Sequence, residues 1–350
     1  MDETRDLLLD GLNRRIEINP NDDTAYREMA NLYIADEDYD GALVVYDRML
    51  KVFPDDVQAL VNAGSIYFYK KDYEKAIEFY QRACRIEPAN FPAHFNLGNV
   101  YAEISNFKSA LEQYDKSLAL ESDVAEVYSA IGILYHDNQD LINAKVYYEK
   151  ALELDNANAE YHTNLANVYQ KLGMTSSAIE YYKKGTELDP DDEKAALCLA
   201  NCYASVENFE EAHKYFKITH EIAPEFYPAW VCEAIAYSDE NNFEKAIELY
   251  KYAIELDATK PNAYILLANL LIDEKRYQEA ITLYENALVL GGDKTELDVL
   301  IANAYVQLDD LVSALGYYRD AVRCSPDNDE TKLIYLEIAS EYVNRKVRSA

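Results

Sequence analysis

The chain has 350 residues, with 33 Lys and Arg residues against 64 Asp and Glu residues, and its formal net charge is −31. Such an acidic chain is a poor partner for nucleic acid, because binding a phosphate backbone requires a basic surface. No window of about 20 apolar residues could span a bilayer, the start lacks the features of a secretory signal, and five cysteines suit a reducing compartment. We therefore expect a cytoplasmic protein that neither binds nucleic acid nor inserts into a membrane.

The first predicted element is a helix over residues 4–18, which Pro20 ends. Its Leu8 and Leu12 occupy positions that hold alanine and an aromatic residue in the repeats that follow. We interpret residues 1–22 as an N-terminal half repeat that caps the array, because a stack of repeats needs its last apolar face covered.

From Asp23 onward the sequence repeats every 34 residues, and nine rows reach Asn328 without insertion or deletion. Position 20 of every row is alanine, position 24 is always aromatic, and position 8 is glycine or alanine. Positions 4, 7, 8 and 11 form one helical stripe and predict a first helix, A, whereas positions 20, 24 and 27 predict a second helix, B. The rows are 23–56, 57–90, 91–124, 125–158, 159–192, 193–226, 227–260, 261–294 and 295–328.

Proline positions agree with this division, because each proline either follows helix B or lies in the first turn of helix A. In row two we expect helix A from Gln58 to Lys70 and helix B from Glu74 to Ile86. Residues 329–350 read as a C-terminal capping helix over 329–346 with a small basic tail. We expect its apolar face to point toward the array, through Leu333, Tyr335, Leu336, Ala339, Tyr342 and Val343.

This pattern resembles the tetratricopeptide repeat family, over about nine tenths of the chain. The resemblance implies an all-α fold: a right-handed α-solenoid of stacked antiparallel helix pairs. It also implies a concave groove, lined by helix A, in which segments of partner proteins are held. The repeat is a scaffold that serves many partners, so the resemblance names none of them.

The sequence carries no phosphate-binding loop, no dinucleotide fingerprint and no hydrolase or metalloprotease motif. We therefore expect no enzymatic activity, no cofactor, no catalytic residue and no metal. Cys198, Cys202 and Cys232 fall close together in the register, and we interpret them as packing residues rather than a metal site. His94 and His162 occupy the bulky position 4 and are interpreted in the same way.

Position 9 of helix A is asparagine in six rows, and a primary amide can both donate to and accept from a peptide backbone. Apolar residues beside it would anchor a partner. In family members that clamp a C-terminal carboxylate, basic and amide residues stand where this chain has Arg27, Asn31 and Asn62, but Pro92 and Asn96 replace the last two cations. The predicted peptide-binding groove comprises Arg27, Asn31, Asn62, Phe68, Phe95, Asn99, Asn167, Asn201, Val231, Ile265, Asn269 and Asn303.

The main hypothesis is a non-enzymatic scaffold that binds an extended or helical segment of another protein, with a basic partner favoured by the acidity of the chain. Two alternatives stay open. The array also resembles the repeat region of protein O-linked N-acetylglucosamine transferases, which implies a substrate-recruiting subunit whose catalytic domain lies on a separate chain. The second alternative is a homo-oligomer assembled through the flat ends of the solenoid.

Overall fold

The computed structural model describes residues 2–349, and over this range it contains twenty α-helices and no β-strand, which confirms the predicted all-α fold. None of these helices is both long and apolar enough to cross a membrane. The helices are α1 (Asp2–Ile18), α2 (Asp23–Ala35), α3 (Tyr39–Val52), α4 (Val57–Tyr69), α5 (Tyr73–Ile86), α6 (Phe91–Glu103), α7 (Phe107–Leu120), α8 (Ala125–Asp137), α9 (Leu141–Leu154), α10 (Ala159–Lys171), α11 (Thr175–Leu188), α12 (Glu193–Ser205), α13 (Phe209–Ile222), α14 (Tyr227–Asp239), α15 (Phe243–Leu256), α16 (Pro261–Asp273), α17 (Tyr277–Val289), α18 (Lys294–Gln307), α19 (Leu311–Cys324) and α20 (Asp329–Ser349).

Short polar side chains start most of the helices. Asp56 Oδ1 accepts the backbone N–H of Ala59 at 2.8 Å at the start of α4, and Asn90 Oδ1 accepts that of Ala93 at 2.9 Å at the start of α6. Such caps satisfy backbone donors that have no partner within the helix. In row two, α4 and α5 begin one residue earlier than expected, and α4 also ends one residue earlier, at Tyr69.

A left-handed residue at position 15 separates helix A from helix B in every row. Only one of the nine is glycine, and the others accept the conformation at some cost, since a Cβ atom disfavours it. The nine residues are Glu37, Lys71, Ser105, Gln139, Gly173, Glu207, Asn241, Lys275 and Asp309. Because the same turn recurs nine times, every row presents its two helices in the same order and with the same short connection.

Within each row, helix A packs on helix B through the small residues that the repeat preserves. The alanine at position 20 has an exposure of 0% in all nine rows. A Cβ atom added to Gly98, at position 8, would lie 2.6 Å from the ring of Tyr114, at position 24. Glycine therefore lets the tyrosine ring rest directly on the backbone of helix A, and this close packing joins the two helices.

The chain divides into two compact units, one up to Leu188 and one from Asp189. In the first unit, α1 to α11 pack in chain order around apolar clusters, one of which joins Leu12, Tyr26 and Tyr46. In the second unit, α12 to α20 pack in the same manner, and the largest cluster runs through Tyr250, Leu267 and Tyr284. Stacked helix pairs therefore build each unit, as the repeat predicted.

The first and last helices pack through different residues from those expected. In α1, Leu9, Leu12 and Ile16 are buried, but Leu8 is exposed. In α20, Tyr335 packs against the last apolar cluster as expected, together with Ile334 and Ile338. The expectation was wrong for Leu333, Leu336 and Val343, which are all more than half exposed, because the contact with α19 runs along a neighbouring stripe of the helix.

Row seven holds a buried carboxylate at position 7, where the other rows have apolar residues. Glu233 is 9% exposed, and its Oε2 lies 2.8 Å from His220 Nε2. His213, on the same helix α13, approaches the other carboxylate oxygen at 3.5 Å. The His220 ring stacks on Trp230 with 3.5 Å between the centroids. A polar clamp between α13 and α14 thus replaces the apolar contact that a leucine would make.

Candidate protein-binding surface

The asparagines at position 9 lie on helix A of their rows, and solvent reaches all six. Three are exposed and three are half-buried; the exposed ones are Asn31, Asn269 and Asn303, and the half-buried ones are Asn99, Asn167 and Asn201. Four belong to one arrangement, from which Asn31 and Asn201 depart; position 24 in the row of Asn201 is Phe216, which has no hydroxyl.

In four rows the tyrosine at position 24 fixes the asparagine at position 9. The bonds run from Tyr114 Oη to Asn99 Oδ1 at 2.8 Å, from Tyr284 Oη to Asn269 Oδ1 at 2.6 Å, and from Tyr318 Oη to Asn303 Oδ1. Tyr182 Oη lies 2.5 Å from Asn167 Oδ1 and 2.9 Å from Gln170 Oε1, so these two acceptors share its single proton. Each tyrosine is at most 2% exposed, so the hydroxyl is held by a packed ring. Within residues 2–349 these four amide Nδ2 groups meet no hydrogen-bond acceptor, which leaves their donors for a partner.

The tyrosines remain donors at any physiological pH, since burial disfavours the phenolate. Burial, with smaller contributions from the nearby carboxylates of Asp273 and Glu296, raises the pKa of Tyr284 to about 12. Burial likewise raises the pKa of Tyr114, with a smaller contribution from Glu103. Carboxylates therefore lie near the phenols that hold the asparagines.

The same juxtaposition recurs in two of the three rows that lack an asparagine at position 9, rows four and seven. Asp137 and Glu160 raise the pKa of Tyr148, and Asp239 raises that of Tyr250, in both cases after the larger effect of burial. These carboxylates come from the end of helix A or from the start of the next helix A. Negative charge thus accompanies the row of amide donors within each unit.

Two of the predicted amides use their donors inside the protein. Asn62 Nδ2 donates to Tyr46 Oη, the position 24 tyrosine of the preceding row, at 3.1 Å. In row six position 24 is Phe216, and Asn201 Nδ2 lies 3.6 Å from Cys232 Sγ instead. Asn62 and Asn201 are therefore held by neighbouring rows rather than by the tyrosine of their own row.

Arg27, the one cation among the predicted site residues, is neutralised by its neighbours. Its guanidinium lies 2.5 Å from Asp56 Oδ2 and 3.7 Å from Asp23 Oδ2. A terminal carboxylate would have to displace these two acids from Arg27. The one cation that matches the clamp is therefore already paired, and the chain also lacks the two cations at Pro92 and Asn96. The structure thus separates this chain further from the carboxylate-clamping members of the family.

The four predicted apolar anchors differ in exposure. Phe68, Phe95 and Ile265 are half-buried, and the Phe95 ring packs beside Tyr114 with 6.0 Å between centroids. Val231 is only 4% exposed and belongs to the core of the second unit. Val231 therefore contributes packing rather than exposed surface.

The sequence analysis used the position 24 aromatic residues only to predict helix B and so missed the tyrosine hydroxyl groups that orient the asparagines. The pairing of an amide at position 9 with a hydroxyl at position 24 was a signal present in the sequence.

The remaining polar and thiol groups serve packing. Burial raises the pKa of Cys202 to about 12, with a smaller effect from Cys198, so this thiol stays protonated. His94 places one ring nitrogen 2.9 Å from Gln113 Oε1 and the other 3.1 Å from the carbonyl oxygen of Pro88. Among the described residues no three His, Cys, Asp or Glu side chains are arranged to hold a metal ion.

Comparison with known protein families places the chain in a class. Models described as tetratricopeptide repeat match residues 23–66, 91–124 and 125–158, and one described as TPR repeat matches residues 64–105. The fold and these matches define a tetratricopeptide repeat protein. Residues 153–347 match the model described as "Cilia and flagella-associated protein 70 C-terminal domain". Because that model covers more than half of the chain, the chain belongs to this family of tetratricopeptide repeat domains.

No curated protein matches the chain. Among solved structures, yeast Tom70 is similar over 99% of this chain and 94% of its own, with 17% identity and a TM-score of 0.51. YrrB, described as a TPR protein with an unusual peptide-binding site, matches 51% of this chain and 92% of its own, with 27% identity and a TM-score of 0.46. MamA from Desulfovibrio magneticus RS-1 matches 49% of this chain and 97% of its own, with 22% identity and a TM-score of 0.46. The similarity to Tom70 concerns the fold alone.

Proposed function

We propose that this protein is a non-enzymatic scaffold that binds a segment of another protein along helix A of its repeats. The observation that carries the proposal is the repeated hydrogen bond from a buried tyrosine to the asparagine at position 9. This bond engages the amide oxygen of the asparagine within the protein and leaves the two N–H donors of the amide directed toward solvent. Donors held in this way are suited to the backbone carbonyl groups of a bound segment, because little side-chain freedom is lost on binding.

The carboxylates near these tyrosines favour a segment that carries Lys or Arg. A cation beside the row of amides would interact with Glu103 in the first unit, or with Asp273 and Glu296 in the second. Half-exposed Phe95 and Ile265 would contact apolar side chains of the same segment. The proposed ligand is thus a peptide segment that carries basic and apolar side chains.

The proposal is tested with peptides selected from a random display library on the intact chain and then titrated in solution. The double change Asn269→Ala and Asn303→Ala should weaken binding at least about tenfold, because each lost donor leaves a desolvated carbonyl group unpaired. Tyr284→Phe should weaken binding too, although Asn269 remains, because the amide is no longer oriented. Higher salt should weaken the binding of Lys-rich or Arg-rich peptides in particular.

Asn286→Ala is the matched control, because Asn286 is an exposed amide on helix B of the same unit. It should leave the affinity unchanged. Equal losses from Asn286→Ala and from the double change would place binding on another face. Selection of acidic peptides would contradict the assigned charge preference.

A further inference from the structure

The first and the last helix each resemble one half of a repeat whose other half no helix supplies within residues 2–349. If the 34-residue register is extended in both directions, α1 falls on helix B positions and α20 on helix A positions. Position 20, which is fully buried alanine in nine rows, falls on Leu8, which is 52% exposed. Position 8, also buried in every row, falls on Leu336, which is 61% exposed. Each leucine thus marks the face that a partner helix covers in a complete row.

The open face of α1 has the form of an empty place for a helix A. A hollow of about 580 Å³ lies between α1 and α2, and its lining from α1 is Leu7, Leu8, Gly11, Leu12 and Arg15. Its lining from α2 is Glu28, Asn31 and Leu32. Within rows, helix A packs on its own helix B and also touches the helix A that follows, as α4 does with α5 and α6. The hollow is bounded by the same two kinds of neighbour, a helix B (α1) and the helix A that follows (α2).

The open face of α20 is a stripe that is apolar except for Ser340. It lies on the face that helix A of a complete row turns toward helix B. Its members are three or four residues apart and all exposed: Leu333, Leu336, Ser340, Val343 and Val347. The first three occupy positions 5, 8 and 12. In complete rows aromatic residues at positions 5 and 12 contact helix B, as Phe95 contacts Tyr114 and Phe68 contacts Tyr73.

We propose that α20 of one copy pairs with α1 of a second copy, so that the two helices complete one composite repeat and the copies join head to tail. Charge supports this pairing. Residues 341–349 hold three basic residues and one acid, whereas residues 2–10 hold four acids and one arginine. In an antiparallel helix pair, the end of helix A lies beside the start of helix B. The basic end of α20 therefore meets the acidic start of α1, and the two helix dipoles add to the attraction.

Side-chain sizes in the composite repeat differ from those in complete rows. Complete rows set glycine or alanine at position 8 against an aromatic residue at position 24. The composite repeat sets Leu336 against Leu12, so bulk moves from helix B to helix A at this contact. Leu8 replaces the alanine at position 20, so the two helices lie further apart than in a complete row. The contact uses different surfaces on the two copies, and further copies can therefore be added one after another without closing a ring. A single helix on a short hollow forms a small interface, and we expect weak, concentration-dependent association.

Sedimentation velocity of the intact chain, from low micromolar to near-millimolar concentration, tests the proposal. The average mass should rise with concentration and should fall again at high salt. Leu8→Asp and Leu336→Asp should each lower the association constant at least about tenfold, because each sets a carboxylate against an apolar face. Val289→Asp is the control, because Val289 is an exposed apolar residue away from both faces and should change nothing.

Mixing the two variants gives the decisive measurement. Leu8→Asp chains keep an intact α20, and Leu336→Asp chains keep an intact α1, so the mixture should form dimers that cannot grow further. Both leucines are exposed, and circular dichroism should show unchanged helix content in each variant. A wild-type chain that stays monomeric at every concentration would overturn the proposal. So would a Leu8→Asp chain that associates like the wild type, since that result indicates pairing between two copies of α20.

Discussion

Adding one methyl group to Gly98 should measure how closely helix A and helix B approach in row three. A Cβ atom there would lie 2.6 Å from two ring carbons of Tyr114, whereas carbon atoms prefer about 3.5–4.0 Å. Ring or helix must move by about 1 Å, and such overpacking costs about 1–3 kcal/mol. Alanine regains about 1 kcal/mol through its higher helix propensity. We therefore expect Gly98→Ala to lower the free energy of unfolding by up to about 2 kcal/mol.

The assay is urea denaturation followed by circular dichroism, with hydrogen exchange to locate the change in α6 and α7. Gly316→Ala is the matched control, because Gly316 also lies inside a helix but a Cβ atom there meets no atom within 4 Å. That change should stabilise the protein by about 0.5–1 kcal/mol. The displaced ring should also loosen the bond from Tyr114 to Asn99, so peptide binding should weaken. If both glycine variants gained stability equally, the tight packing of row three would be refuted.

Two further predictions concern titratable groups. Burial raises the pKa of Tyr284 to about 12 from about 10 in an unfolded chain, so its contribution to stability is complete below about pH 10 and is lost as the pH rises toward 12. The difference in phenolate absorbance between the wild type and Tyr284→Phe isolates this group, and a difference that appears near pH 10 in a fully helical protein would contradict the prediction. Glu233→Ala leaves His220 without its hydrogen-bond partner and should cost about 1–3 kcal/mol in urea denaturation, whereas Glu233→Gln, which keeps an acceptor oxygen, should cost less; equal stability of the alanine variant would show that the clamp contributes nothing.

The helix pairs could be predicted from the sequence because alanine at position 20 and an aromatic residue at position 24 recur in every row. The orientation of the terminal helices could not. In α20, Leu333 and Leu336 form one apolar stripe while Ile334 and Ile338 form another, and periodicity alone does not say which stripe packs on α19. The run of three leucines from Leu7 to Leu9 presents the same ambiguity in α1.

The helix that carries the asparagines was predictable, but the orientation of their amides was not. The register placed Asn99 and Asn269 on helix A, yet the direction of each amide depends on a tyrosine hydroxyl fifteen residues away. The burial of Val231 depends on the cluster that surrounds it in the second unit. These are properties of three-dimensional packing that the row pattern does not encode.

The carboxylate of Glu233 has a consequence for how the second unit comes apart. A linear array unfolds where the coupling between neighbouring repeats is weakest. Glu233 lies between the apolar cluster around Phe216 and the larger one around Tyr250, where its contact with His220 replaces a continuous apolar contact. A buried hydrogen bond adds little net stability compared with apolar packing of the same shape. The contact between rows six and seven is therefore a natural border between two cooperative folding segments, so the rows from seven onward can open while the rows before them stay folded.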